Sequence, residues 1–243
     1  MLKSVLRSGF QTLAPRLWSV YSEMRSGQDP EMALLPLVVP RGRVALDAGA
    51  HFGCYARALA KLTDRVHAFE PTETADIMAR TMPRNVTVHR MALSSHMGAA
   101  ALRIPRCSSA LASLERHVTG DARTIEVTLT TIDAMFPAED IGFIKIDVEG
   151  HESAVLNGAR ATIARCLPVL LIECEERMNP GGLDKLIHYF DQWKYICKYL
   201  KDGELHNVSE FRHDRDQVQG VSPYINNFFF IPSRHPAIAK RRV

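Results

Sequence analysis

The sequence predicts a single α/β domain built on a mostly parallel, doubly wound sheet. From residue 43 onward, short apolar or β-branched runs alternate with stretches of helical periodicity, as in consecutive βαβ units. The chain has 243 residues, enough for one large domain but short for two. We expect the domain to cover residues 41–233, between an N-terminal helical segment, 1–40, and a basic tail, 234–243.

Nine short runs have strand-like patterns, and four longer stretches have helical spacing. The two most apolar runs, 141–146 and 168–172, are typical of buried central strands. Alternation at 99–104 and 124–129 indicates an inserted hairpin, and the last two runs predict an antiparallel closing pair, with polar residues 201–220 as an exposed connection. The expected strands are 44–46, 65–69, 85–89, 99–104, 124–129, 141–146, 168–172, 194–199 and 227–231, and the expected helices are 52–62, 72–81, 152–164 and 183–193.

Composition and charge exclude several classes of protein. The chain is 46% hydrophobic and 23% charged, as in ordinary globular proteins. A formal charge of +3 is too small to indicate a nucleic-acid partner, so none is expected. The five cysteines are odd in number and lack a Cys-x-x-Cys pair, which favours free thiols in the cytoplasm over disulfides or structural zinc.

The N-terminal segment leaves several interpretations open. The chain contains no apolar run of 18 residues and no secretory signal, so we expect no transmembrane segment. Leu2, Leu6, Phe10, Leu13 and Leu17 nevertheless recur at helical spacing. Such a helix is compatible with peripheral membrane contact, with a transit peptide, or with packing over a substrate cleft.

A turn between the first strand and the first helix has the features of a cofactor site. Asp47, Gly49 and Gly53 form a D-x-G-x-x-x-G pattern, in which glycine permits positive φ and close approach of the backbone to a ligand. Glu70 follows Gly49 by 21 residues, close to the offset of about 20 at which an acid binds ribose hydroxyls. Asp47 stands where a dinucleotide fingerprint has its first glycine, so the turn favours a phosphate-free cofactor that carries a sulfonium and an ammonium group.

A dense group of ionisable residues follows the strand at 141–146. Alternate strand residues share a side, so Lys145, Asp147 and Glu149 are expected to converge near the reacting group, with His151 at the start of the next helix. A structural alternative is that Glu149 and Glu152 only complement a helix N-terminus while the Lys145 side chain extends toward solvent.

With these motifs the chain resembles the FkbM family of S-adenosylmethionine-dependent methyltransferases. The resemblance implies a Rossmann-like methyltransferase fold, with helices on both faces and an antiparallel closing strand, and transfer of a methyl group to a hydroxyl of a sugar or natural product. It extends the cofactor-binding set from the turn to Ala50, His51, Pro71, Ala92, Leu93 and Asp147. His51 stands where the family commonly has Asn. The matching motifs are Asp47 to Gly53, Phe69 to Pro71, Ala92 to Ser94, Thr130 to Asp133, Ile144 to Glu152 and Pro168 to Glu173.

An O-methyltransferase must align its reactants and deprotonate a hydroxyl group. His151 is the first candidate for the base, because its ordinary pKa is about 6.5. Asp147 or Glu149 would serve if burial raised its pKa. Asp147, Glu149 and Glu173 are also oxygen donors for Mg²⁺, but a metal-free site is preferred because no further ligands are evident.

Three other classes compete with this interpretation. A nicotinamide oxidoreductase would need the missing first glycine of the dinucleotide fingerprint. A nucleic-acid amino methyltransferase often has a Pro-Pro-aromatic motif where this chain has 147–150. A catalytically inactive cofactor-binding or scaffold protein would retain the fold, and His51 is compatible with an altered pocket. The expected partner is a small-molecule or glycan acceptor, with the oligomeric state open.

Overall fold

The computed structural model describes residues 29–105, 112–115 and 121–236. The N-terminal residues with helical spacing, from Leu2 to Leu17, and most of the basic tail lie outside the described residues.

The main sheet has eight strands and agrees with the predicted topology. They are β1 (Val44–Ala48), β2 (Val66–Phe69), β3 (Val86–His89), β7 (Ile141–Ile146), β8 (Val169–Glu173), β9 (Tyr195–Lys201), β10 (Glu204–Asn207) and β11 (Asn227–Pro232). Their spatial order is β10-β9-β11-β8-β7-β1-β2-β3. In this order the five neighbours from β8 to β3 are parallel, and β11 runs antiparallel to both β8 and β9, which confirms the closing pair.

Helices cover both faces of this sheet, as the Rossmann-like fold requires. Successive residues of β7 point in opposite directions, so Phe143 packs into one hydrophobic cluster and Ile144 into the other. The Phe143 face is covered by α1 (Leu35–Val38), α2 (Cys54–Leu59) and α3 (Thr74–Thr81). The opposite face is covered by α4 (Ile132–Met135), α5 (Glu152–Asn157), α6 (Arg160–Cys166) and α7 (Gly182–Asp191).

The predicted hairpin forms a second, smaller sheet. Strands β5 (Gly98–Pro105) and β6 (Ala122–Thr130) pair antiparallel, and β4 (Ala92–Leu93) adds to β6 in parallel. Leu102, Ile104 and Val127 form the centre of its own small core. The hairpin therefore stands beside the main sheet, at the end where β1 and β7 finish.

Two expectations about the helical and polar regions are wrong. The helix expected at 152–164 is two helices, α5 and α6, separated at Gly158 and Ala159. The Gly158 carbonyl accepts a hydrogen bond from the Asp133 amide at 2.9 Å, and the Asp133 carboxylate accepts from the Ala161 and Thr162 amides at 2.9 and 2.8 Å, so α6 begins as a separate helix. The expected loop at 201–220 contains β10 and α8 (His213–Asp216), because an edge strand can form from polar residues once β9 supplies the hydrogen bonds.

In the described part of the chain, no helix has both the length and the apolar character of a membrane span.

Candidate active site

A cleft opens where β1, β2 and β7 end, the usual ligand-binding edge of an α/β sheet. It contains about 550 Å³ of open space, including its solvent-facing mouth. The main sheet supplies one wall and the inserted hairpin supplies an apolar wall opposite. The lining residues are Gly49, His51, Phe69, Glu70, Pro71, Ala92, Leu93, Leu102, Ala112, Leu114, Asp147, Val148, Glu149 and His151.

Gly49 permits β1 and β7 to approach each other at the floor of the cleft. Its φ is +80°, and a Cβ there would lie 1.7 Å from the backbone oxygen of Asp147. The amides of Gly49 and Ala50 both donate to the Phe69 carbonyl at 3.0 Å. The turn therefore needs glycine for two separate reasons, its backbone conformation and the space beside it.

Glu70 is a buried carboxylate held in one orientation at the end of β2. One oxygen accepts hydrogen bonds from the Thr72 amide, at 2.9 Å, and from the Thr72 hydroxyl; the other accepts from the His51 amide at 2.9 Å. Burial raises the pKa of Glu70, although these donors oppose the rise. Each carboxylate oxygen has two lone-pair sites, so Glu70 retains one acceptor site, on the oxygen that the His51 amide contacts, for a hydroxyl group in the cleft.

Three predicted cofactor residues support the turn from outside the cleft. The carboxylate of Asp47 is 2% exposed and accepts a hydrogen bond from the Ala56 amide at 2.8 Å, in the first turn of α2. A Cβ on Gly53 would meet the ends of two methionine side chains, and buried Ala50 does not line the cleft. The sequence pattern located the turn correctly, but it did not separate the residues that face a ligand from those that shape the backbone.

Lys145 lies behind Asp147 and outside the cleft, contrary to the expected convergence near the reacting group. Its ammonium is buried, 3.3 Å from an Asp147 carboxylate oxygen and 3.1 Å from the Asn227 side-chain oxygen. Burial alone would lower the pKa of Lys145, but Asp147 and Glu173 outweigh it and raise the pKa. Lys145 therefore stays charged and fixes the Asp147 carboxylate.

Asp147 and Glu173 form a buried acid pair with very different proton affinities. Burial opposes ionisation of Asp147, but Lys145 and a hydrogen bond from Glu173 lower its pKa overall. Burial, followed by the charge of Asp147, raises the pKa of Glu173 to about 10. At neutral pH the pair therefore carries one negative charge, on Asp147, whose side chain is 34% exposed toward the cleft.

Glu149 is a cleft carboxyl group whose pKa is raised by its surroundings. It also lines a smaller adjoining cavity with Glu173 and Glu175. Burial, and then the charges of Asp147 and Glu175, raise the pKa of Glu149 to about 7. Its backbone has φ of +50°, a conformation that non-glycine residues adopt rarely, and such residues cluster at functional sites.

The ring of His151 lies in the cleft wall with both nitrogens hydrogen-bonded. Nδ1 is 2.7 Å from a carboxylate oxygen of Glu115, and Nε2 is 2.9 Å from the Ser94 hydroxyl. Both nitrogens contact protein groups, so for His151 to act as the base its contact with Ser94 would have to be exchanged for one with the acceptor.

The sequence predicted the inserted hairpin but did not single out the hairpin residues that reach the site. Leu102, Ala112 and Leu114 line the cleft, and Glu115 binds His151. Alternation predicted the hairpin, but no local pattern marks a single residue of an insertion as a partner of residue 151. Among the described residues, no group of three or more His, Cys, Asp or Glu is arranged to hold a metal ion.

A comparison with protein families decides the affiliation. The family model described as Methyltransferase FkbM domain matches residues 47–203, which is more than half of the chain. The chain belongs to the FkbM methyltransferase family. The match spans the Gly49 turn, Glu70 and the run from Lys145 to Glu152, and thus all the candidate site residues of the FkbM domain. No curated protein sequence matches this FkbM chain.

A solved structure from the FkbM family has a similar fold. A methyltransferase FkbM from Methylobacillus flagellatus superposes with a TM-score of 0.54 at 18% identity, covering 80% of this chain and 45% of the other. The chain thus spans less than half the length of that relative. An rRNA methylase from Streptococcus thermophilus has a TM-score of 0.48 at 13% identity, covering 82% of this chain and 91% of its own. At these identities the similarity concerns the fold.

Proposed function

We propose that this FkbM domain transfers a methyl group from S-adenosylmethionine to a hydroxyl group of a small molecule or glycan. The observation that carries the proposal is the Glu70 carboxylate, held by the His51 and Thr72 amides at the edge of a cleft that extends to Asp147 and Glu149. Expected partners are such acceptors, without nucleic acid, in the cytoplasm.

The residues present fit the proposed cofactor. Glu70 is oriented to accept a hydrogen bond from one ribose hydroxyl, and Pro71, Ala92 and Leu93 give an apolar wall for a base. Asp147 places a negative charge in the same cleft, where the ammonium and sulfonium groups need a counter-charge. Gly49 and His51 line the floor between these ends.

The chain's own contribution to transfer would be alignment and removal of a proton. When bound, S-adenosylmethionine supplies an electrophilic methyl group with a neutral thioether as leaving group. We assign the base role to Glu149, because it lines the cleft and its raised pKa of about 7 suits a proton acceptor at neutral pH. The Glu149 carboxylate would accept the O–H proton of the acceptor as the methyl group is transferred to that oxygen. Asp147 stays ionised beside Lys145.

The first experiment tests the cofactor. Isothermal titration should detect binding of S-adenosylmethionine and S-adenosylhomocysteine, and Glu70→Gln should weaken it at least about tenfold, since one charge-assisted contact to a hydroxyl contributes about 1.5–3 kcal/mol. Glu73→Gln is the matched control, because the side chain of Glu73 is 56% exposed and pairs with Arg123 outside the cleft. No binding to the unaltered protein would refute the proposed function.

The second experiment tests transfer. With a hydroxylated acceptor identified by a radiolabelled-methyl screen, Glu149→Gln should lower kcat about 10²- to 10⁴-fold without weakening cofactor binding. Glu126→Gln, on the exposed side of β6, should have normal activity. Binding without transfer to any hydroxyl, amine or thiol acceptor would favour the catalytically inactive alternative. Transfer that stops with chelator and resumes with Mg²⁺ would contradict a metal-free site.

A further inference from the structure

The segment 112–115 of the inserted hairpin touches both the cleft and the turn that carries Glu149. Ala112 and Leu114 line the cleft. Ser113, 1% exposed, donates its hydroxyl to the Glu149 carbonyl at 2.6 Å, and the Glu115 carboxylate lies 2.7 Å from His151 Nδ1. The hairpin thus contacts the turn after β7 at two residues, Glu149 and His151.

This segment is itself anchored. Ser113 exchanges two backbone hydrogen bonds of 3.0 Å with Arg103 of β5, and its hydroxyl accepts from the Glu115 amide at 3.0 Å. Glu115 is therefore held in place by its own backbone, although its side chain is 45% exposed. An exposed carboxylate that is fixed in this way can orient a partner without contributing much to global stability.

The contacts of His151 define where its proton lies. An ionised carboxylate only accepts hydrogen bonds, so the Glu115 contact requires a proton on Nδ1. In the neutral ring Nε2 then lacks a proton and accepts from the hydroxyl of Ser94, which is buried and 2.9 Å away. Glu115, His151 and Ser94 form one continuous chain of hydrogen bonds from the cleft rim to the protein interior.

We propose that Glu115 is a positioning residue, which fixes His151 as its Nδ1-protonated tautomer and thereby joins the inserted hairpin to the turn of Glu149. This inference rests on the proposed function for its catalytic consequence, but not for its structural content. His151 acts here as a link between two layers of the protein, and the proton acceptor is Glu149. The hairpin then sets the position of Glu149 while its own apolar side chains face the cofactor site.

The test reads the tautomer directly in the whole protein without ligand. With ¹⁵N-labelled histidine, long-range ¹H–¹⁵N correlation spectra distinguish the two neutral forms, and the signals lost in His151→Gln identify residue 151. We expect the unaltered protein and Glu126→Gln to give the Nδ1–H pattern. Glu115→Ala should shift the ring toward the Nε2–H form, and Glu115→Gln should retain Nδ1–H, because its amide oxygen still accepts.

An Nε2–H ring in the unaltered protein, or an unchanged spectrum in Glu115→Ala, would overturn the inference. Neither result depends on methyl transfer, so failure here is distinct from failure of cofactor binding, which is titrated on the same samples. Once an acceptor is known, Glu115→Ala should lower kcat by up to about 10²-fold, since displacement of a reacting group by about 1 Å has that effect. Cofactor affinity should change less than about threefold, and Glu115→Gln should restore most of kcat.

Discussion

Replacement of Gly49 by alanine would perturb the floor of the cleft without adding any new chemistry. The added methyl group would lie 1.7 Å from the Asp147 backbone oxygen, half of the 3.4 Å at which ordinary contact begins. Gly49 also has φ of +80°, where a side chain costs about 1–2 kcal/mol. Moving β1 and β7 apart to relieve the overlap should cost a further ~1–3 kcal/mol.

The two contributions can be separated with a second glycine. Gly203, between β9 and β10, has φ of +81°, and a Cβ added there would have no neighbouring atom within 4 Å, so Gly203→Ala adds the backbone cost alone. We expect Gly203→Ala to lower the free energy of unfolding by about 1–2 kcal/mol and to bind S-adenosylhomocysteine normally. Gly49→Ala should lower the free energy of unfolding by roughly 2–5 kcal/mol. It should also lower the affinity for S-adenosylhomocysteine at least about tenfold, because Asp147 moves with its backbone.

Urea denaturation of the two variants and of the unaltered protein measures the free energies, and calorimetry measures the affinities. If Gly49→Ala matches Gly203→Ala in both quantities, the close approach of the two strands does not exist in solution, and the reasoning about the cleft floor is refuted. If Gly49→Ala loses stability but binds S-adenosylhomocysteine with unchanged affinity, the Gly49 turn is not part of the cofactor site.

Three further predictions follow from the charged groups. The value of kcat/KM should rise with pH through about 7, because Glu149 must be deprotonated to act as base. Glu175→Gln should move this rise to lower pH, because it removes a charge that raises the Glu149 pKa. A pH profile without this rise would contradict the assignment of Glu149 as the base. Glu173 keeps its proton in the folded protein up to about pH 10, whereas the unfolded chain loses it near 4.5, so the contribution of Glu173 to stability falls as pH rises between these values. Denaturation experiments should therefore show that Glu173→Gln is more stable than the unaltered protein at pH 8, but not near pH 4. Lys145→Met should lower the free energy of unfolding by about 2 kcal/mol, because it removes the partner of the partly exposed Asp147 carboxylate. In a double-mutant cycle, adding Asp147→Asn should recover part of that loss. Additive losses would mean that the two charges of the ion pair are not coupled.

The fold and the approximate location of the site could be predicted from the amino-acid sequence. Apolar runs of strand length are visible locally, since a strand buried on both faces must be apolar throughout, and β7 and β8 have that character. The Gly49 turn and Glu70 were recognisable because they follow consecutive strands, whose carboxyl ends meet at one edge of a parallel sheet. The division of 152–164 into two helices was not visible, because it involves hydrogen bonds with Asp133, which is distant in the sequence.

Tertiary structure decided which side chains face the cleft and which proton each one holds. Asp47 lies near the end of β1 and Asp147 directly follows β7, yet one supports helix α2 from the interior and the other carries the negative charge of the cleft. The raised pKa of Glu149 comes from burial and from the charges of Asp147 and Glu175, and the hydrogen bonds of His151 come from Ser94 and the hairpin residue Glu115, which are far from it in the chain. Burial and electrostatic interaction act through space, and the linear order of residues does not contain those distances.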